Sequence, residues 1–184
     1  EKQFHYKAKT GKPFITVELQ VVRVDGSHIE TDDKEVGEII VKGETVTPGY
    51  WNLPNETEEA FQNGWLKTGD LATMDSEGYV NIVDRLRDMI ICGGENIYCV
   101  EVENVLYQHP DVLEAAVFGK PDELWGEIVA AAVVLKPGSE ICRCELVGFC
   151  REHLTGFKTP RAITFLDELP KTGSGKIYKK GLKS

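Results

Sequence analysis

The chain has 184 residues, with 21 Lys and Arg against 30 Asp and Glu for a formal net charge of −9, and it is 41 % apolar and 28 % charged. That is the balance of an ordinary globular protein, and roughly 150 residues per domain predicts one or two domains of this length. The acidic surplus argues against a general nucleic-acid binder, no apolar run approaches the ~18–20 residues needed to cross a bilayer, and no secretory signal opens the chain.

The first half reads as β-structure. Residues 14–24 alternate strictly, with Ile15, Val17, Leu19 and Val21 on one face, and Asp25-Gly26 supplies a turn. Glu38–Lys42 is a second short strand. Asn55–Gln62 is acidic at its start and predicts a short helix, with Asn55 as its N-cap. Leu71–Met74 and Tyr79–Val83 flank Asp75-Ser-Glu-Gly78, a hairpin loop with glycine where φ > 0 is needed.

The pattern changes near Arg85–Asp88, which marks a domain boundary. Met89–Ile91 is a short strand broken by Gly93-Gly94. Val102, Val105 and Leu106 follow helical spacing up to His109-Pro110, where proline ends the helix. Val112–Phe118 and Glu127–Leu135 are Val/Ala-rich strands, a helix spans Cys142–Leu154, and Ala162–Phe165 is a last strand. The expected fold class is α+β: a β-rich first part followed by a small α+β domain.

The cysteines are Cys92, Cys99, Cys142, Cys144 and Cys150. An odd count without a secretion signal argues against a disulfide framework and for buried, inert thiols in a reducing compartment. Cys142-x-Cys144 is too tight for zinc spacing, and His5, His28, His109 and His153 form no ligand pattern near it, so no metal site is expected.

Several polar clusters carry chemistry or none on the residues alone. Asp70, after Thr68-Gly69, is a turn aspartate or a carboxylate able to accept from both hydroxyls of a ribose. Asp84-Arg-Leu-Arg-Asp88 is a solvated linker or, through the donor fork of Arg85, a ribose or phosphate contact. Gly93-Gly94-Glu95-Asn96 is a strand–helix connection or a place where backbone packs on a ligand. Pro170-Lys-Thr-Gly-Ser-Gly-Lys176 is not a Walker loop, because Pro170 stands where the first glycine belongs and Ile177 where Ser or Thr should hold magnesium. What remains is a flexible loop presenting Lys176, or a solvated basic tail.

In order along the chain, these segments closely resemble the adenylate-forming acyl-CoA synthetase family. The resemblance runs through Val36-Gly-Glu-Ile-Ile-Val-Lys-Gly43, Gly49-Tyr-Trp-Asn52, Gly64-Trp-Leu-Lys-Thr-Gly-Asp-Leu71 and Asp84-Arg-Leu-Arg-Asp88. It continues in Gly93-Gly-Glu-Asn-Ile-Tyr98, Val100-Glu-Val-Glu103 and Glu168-Leu-Pro-Lys-Thr-Gly-Ser-Gly-Lys-Ile177. It implies a reaction in which a carboxylate attacks the α-phosphate of MgATP, giving an acyl-adenylate and pyrophosphate, before a CoA thiol displaces AMP. By position it implies that Asp70 and Arg85 bind the ribose of ATP or AMP and that Lys176 is the catalytic adenylation lysine. It implies a hinge at Arg87, a pantetheine-lining loop at Gly93, Gly94 and Glu95, and contacts from Phe157 and Arg161 to the CoA nucleotide.

The sequence departs from the family at Asp84, where many members have Gly, and at Cys99, where Pro is common. The family's phosphate loop, adenine and magnesium motifs and acyl pocket are not in this sequence. The resemblance therefore implies a fragment: residues 1–86 as the β-barrel-like end of a large domain, and 87–184 as a mobile C-terminal lid. The expected partners are a carboxylic acid, fatty or related, with ATP, Mg and CoA, in the cytoplasm, the fragment alone being inactive. Two other readings stay open here: the same adenylation with a carrier-protein or oxygen acceptor, and a non-catalytic lid or binding module.

Overall fold

The computed structural model describes Tyr6 and residues 9–183; His5 lies outside the described residues. The chain forms two compact units, Glu1–Arg87 and Asp88–Ser184.

The first unit is an antiparallel sheet. β1 (Val17–Val22) pairs with β2 (Gly37–Gly43), β2 with β4 (Trp65–Met74), and β4 with both β3 (Phe61–Gln62) and β5 (Val80–Arg85). Val21, Ile29, Ile39, Ala72 and Val80 form its core, with Leu19, Val41 and Met74 packed against them. β1 is shorter than the alternation predicts. The Val17 N–H donates to the Phe14 carbonyl at 2.9 Å, so a turn ends the strand and leaves Ile15 exposed.

The helix of this unit, α1 (Pro54–Ala60), is capped by Leu53 rather than by Asn55. Proline fixes φ and has no N–H to satisfy, so Pro54 takes the first helical turn and Asn55 falls inside it. Phe61 and Gln62, expected to finish the helix, instead pair with Leu66 and Trp65. Between them Asn63 and Gly64 lie at φ +52° and +80°, the two positive values that a tight two-residue hairpin requires. The Asp75–Gly78 loop forms as expected, with Asp75 Oδ1 accepting from the N–H groups of Glu77 and Tyr79 at 2.9 Å each.

The second unit is α+β. β6 (Ile90–Cys92) and β7 (Glu95–Ile97) make a short hairpin, followed by α2 (Cys99–Gln108), β8 (Val112–Asp122), β9 (Gly126–Leu135), α3 (Arg143–His153), β10 (Ala162–Phe165) and a 3-10 turn at Lys179–Leu182. β8 and β10 flank β9, antiparallel and parallel respectively, and β6 meets β9 at Gly126. One face of the sheet packs Ala115, Val117, Ala131 and Val133 against Val102, Leu106, Leu146 and Cys150 of the two helices. The opposite face packs Ala116, Phe118, Ala130, Ala132 and Val134 under Leu169, with Ile177 and Leu182 of the tail. Burial on both faces explains why β8 and β9 read as continuous Val/Ala runs rather than as alternating strands.

Two expectations are corrected in this unit. Gly93 and Gly94, at φ +61° and +88°, turn one strand into another, so the segment after them is β7 before it becomes helix. Cys142 and Cys144 are exposed and disulfide-bonded to each other, whereas Cys92, Cys99 and Cys150 are buried and outside any disulfide. Cys142 is the N-cap of α3, with its Sγ accepting from the Glu145 N–H at 3.3 Å, and Cys144 follows in the first turn, so both sulfurs stand outside the core.

Candidate functional site

In the first unit the ladder between β4 and β5 sets Asp70 directly opposite Arg85. Both ladders that β4 makes are irregular here, with register shifts at Leu71/Ala72 against β5 and at Glu38/Ile40 of the neighbouring β2. Such bulges re-aim side chains at the end of a sheet. Gly69, at φ +72°, supplies the bend; its N–H donates to Glu38 Oε1 at 3.1 Å and its carbonyl accepts from the Leu86 N–H at 2.8 Å. Thr68 Oγ1 donates to the Ile39 carbonyl and accepts from the Asp70 N–H at 3.1 Å, fixing the backbone beneath the carboxylate.

Arg85 Nε lies 3.2 Å from Asp70 Oδ1, and the two side chains are 52 % and 28 % exposed. A carboxylate acceptor beside a guanidinium donor, both open to solvent, can take a pair of adjacent hydroxyls with complementary bonds. The charged run that follows is not one linker. Asp84 is buried and, like Arg85, belongs to β5, and residues 86–88 form the turn that follows it. Arg87 is exposed in that turn, and the Asp88 carbonyl accepts from Cys99 Sγ at 2.9 Å inside the second unit.

In the second unit the structure joins Gly93 and Arg161 through a residue the sequence did not single out. The Gly93 N–H donates to the Trp125 carbonyl at 2.9 Å, and the Arg161 guanidinium stacks over the Trp125 ring at 4.8 Å. A Cβ at Gly93 would sit 2.8 Å from Trp125 Cε3. A side chain there would have to push the ring aside, so the close approach at Gly93 is to Trp125 of the chain itself. Glu95 is exposed at the start of β7, opposite Cys92. Phe157 is half-exposed beside Lys158, whose ammonium lies 6.0 Å from its ring and pairs with Glu101 at 2.7 Å. Phe157 makes no ring contact with Trp125 or Arg161 among the described residues.

Lys176 sits on a polar turn. The Thr172 N–H donates to the Lys176 carbonyl at 2.7 Å, the Gly175 N–H to the Thr172 carbonyl at 2.8 Å, and the Lys176 N–H to Thr172 Oγ1 at 3.2 Å. Its side chain is exposed and makes no ion pair among the described residues. A cation held out on a turn of this kind can meet an oxyanion without first giving up a partner. No group of three or more His, Cys, Asp or Glu side chains among the described residues is arranged to hold a metal ion, and no described helix is long and apolar enough to cross a membrane.

Residues 101–176 match the family model of the AMP-binding enzyme C-terminal domain. Over 169 residues the chain is 47 % identical to a feruloyl-CoA synthase of an Amycolatopsis species, covering 92 % of this chain and 34 % of that protein. The chain carries the C-terminal domain of the AMP-binding enzymes, and what it matches in its relatives is the C-terminal portion of adenylate-forming CoA ligases. A 2-succinylbenzoate–CoA ligase of Geobacillus kaustophilus is 44 % identical over 173 residues, 94 % of this chain and 35 % of its own. The chain thus spans about a third of the length of these ligases. Among solved structures, the o-succinylbenzoate CoA synthetase of Bacillus subtilis, in complex with its acyl-adenylate intermediate, superposes with a TM-score of 0.89 at 42 % identity over 99 % of this chain and 37 % of that one. The amide bond synthetase McbA of Marinactinospora thermotolerans gives 0.86 at 36 % identity over 97 % of this chain and 36 % of that one.

Proposed function

We propose that the protein containing this chain is an ATP-dependent carboxylic acid–CoA ligase. A carboxylate oxygen attacks the α-phosphorus of ATP and pyrophosphate leaves; the CoA sulfur then attacks the acyl carbon and AMP leaves. The observation that carries the reading is the Asp70–Arg85 pair, set across a ladder with acceptor and donor open to solvent 3.2 Å apart. In this reading Asp70 and Arg85 take the ribose hydroxyls. Lys176 meets the carboxylate and α-phosphate as charge develops, and loss of one such preorganised donor costs ~3–4 kcal/mol.

Gly93, Gly94 and Glu95 line the path of the pantetheine arm, and Arg161, stacked on Trp125, with Phe157 nearby in sequence, meets the CoA nucleotide. Residues 1–86 are the end of a larger domain and 87–184 a mobile lid, hinged at Arg87, where an exposed turn changes φ/ψ at little cost. Magnesium arrives with ATP; among the described residues no group of three or more His, Cys, Asp or Glu side chains is set to hold it. The acid is fatty or related, in keeping with a relative named butyrate–CoA ligase, and the setting is the cytoplasm.

The test is to assay the full-length protein for ATP–pyrophosphate exchange and for CoA thioesters across a panel of fatty and aromatic acids. Exchange together with a thioester is the expected result. Adenylate formed without any CoA thioester overturns the ligase reading in favour of another acceptor, and robust exchange by the 184-residue chain alone overturns its reading as a part of the enzyme.

A further inference from the structure

The turn that carries Lys176 has little packing of its own. Residues 172–176 are exposed and bonded to one another. The turn is closed at its base by the Tyr178 N–H on the Pro170 carbonyl at 2.7 Å and by a bridge between Lys171 and Ile177, and side-chain ties lie to either side. Before the turn, Lys171 pairs with Glu114 of β8 at 2.7 Å; after it, Lys179 pairs with Glu103 of α2 at 2.8 Å.

These ties are unequal. Lys171 and Glu114 are 44 % and 31 % exposed, so water screens them. Lys179 and Glu103 are 18 % and 15 % exposed, so water screens them less. Glu103 Oε1, the oxygen that meets Lys179, also accepts from the Val117 N–H at 2.8 Å. β8 pairs with β9 alone among the described strands, so that N–H belongs to its open edge. The helices cover one face of the sheet and the tail the other. The Glu103–Lys179 contact therefore closes round the edge of β8, fastening the tail to the helix on the far side.

We propose that Glu103 and Lys179 are positioning residues for Lys176, a clasp that holds the downstream end of its turn in one register. This rests on the reading of Lys176 as the adenylation lysine. The Tyr178 N–H that closes the turn on the Pro170 carbonyl lies next to Lys179, so freedom at Lys179 loosens that closure and through it the turn of Lys176. The upstream end stays anchored by Leu169, which is buried in the sheet face.

The test compares Lys179→Met, which keeps the stem and removes the charge, with Lys179→Arg and with Glu103→Gln, which still accepts from Val117. In the full-length protein, Lys179→Met and Glu103→Gln lower kcat for adenylate formation about tenfold with KM for ATP within about twofold. Thioester formation from preformed acyl-adenylate stays within about twofold, and Lys179→Arg restores the first step. In the 184-residue chain, amide exchange across 172–178 quickens about tenfold in Lys179→Met while the amides of β9 keep their protection. Equal losses in both half-reactions, or unchanged exchange across 172–178, overturn the proposal. Lys176→Ala separates the two claims. If adenylation survives it, the lysine reading and the clasp fall together; if it cripples adenylation while Lys179→Met runs at the wild-type rate, the clasp alone falls.

Discussion

Gly93→Ala and Gly94→Ala place the same methyl group on adjacent residues of one turn, and the structure predicts different costs. Both glycines have positive φ, +61° and +88°, where an L side chain costs ~1 kcal/mol. At Gly94 that is the whole cost, because nothing lies within 4 Å of the added Cβ. At Gly93 the Cβ would stand 2.8 Å from Trp125 Cε3 and 3.1 Å from Cζ3. The ring cannot simply recede. Its backbone is tied to the Gly93 N–H at 2.9 Å and its face is under Arg161 at 4.8 Å. Tilting it forfeits a cation–π contact of ~0.5–1 kcal/mol and some packing, for a total of ~2–3 kcal/mol. At ~4–8 °C per kcal/mol for a unit of this size, Gly94→Ala lowers the melting temperature of the second unit by about 4–8 °C and Gly93→Ala by about 10–20 °C. Calorimetry of the chain and of the Trp125→Ala and double variants reads both terms. With the ring gone, Gly93→Ala should cost no more than Gly94→Ala. Equal shifts for the two alanines, or a coupling to Trp125 below ~0.5 kcal/mol, would refute the reasoning.

Asp70→Ala should leave stability within ~1 kcal/mol, because the pair with Arg85 is largely solvated, yet weaken AMP binding to the full-length protein at least ~10-fold through lost charged hydrogen bonds; unchanged affinity by titration calorimetry counts against the ribose assignment. Arg87→Pro should slow thioester formation more than adenylation in stopped-flow comparison of the two steps, and equal slowing removes the hinge from that position. Burial pushes the Cys150 thiol up to about 11. The folded state thus holds its proton where the unfolded chain loses it, so this contribution is complete below pH ~9 and fades as pH rises toward ~11. Urea melts from pH 8 to 11 should show a shallower loss in Cys150→Ala than in the wild type, and parallel profiles would exclude the thiol.

How much the sequence discloses depends on the range of each interaction. Asp75-Ser-Glu-Gly78 is a local signal, and the hairpin was legible from it. Its ladder continued in register from Met74 and Val80 would set Asp70 opposite Asp84; the register shift at Leu71/Ala72 brings Asp70 to Arg85, and only the family resemblance pointed to both residues together. Trp125 was not legible, because its contact with Gly93 joins distant parts of the chain and leaves no period in the sequence. The only trace is a paired glycine, which says that something approaches without naming it. β7 escaped for a different reason: Glu95–Ile97 is too short to alternate. Cysteine parity misled over Cys142 and Cys144 because it weighs frameworks of distant pairs, whereas here the first turn of α3 brings neighbours together.

The tail shows why a solvated basic segment and a functional one look alike in sequence. Both offer exposed lysines among small residues, and composition cannot separate a lysine that is bound from one that is held out. The structure sets two of the tail lysines apart by partner, while Lys176, Lys180 and Lys183 are exposed and make no ion pair among the described residues. Lys171 and Lys179 are neutralised by Glu114 and Glu103, each of which stands far from its lysine in the chain and belongs to the sheet edge or the helix behind it. Lys176, between them, faces solvent from a turn whose bonds are its own. In a chain of net charge −9 the long-range field repels an anionic nucleotide. In the proposed function a local cation must supply the attraction, and with Lys171 and Lys179 holding Glu114 and Glu103, Lys176 offers its charge without competition from those two carboxylates.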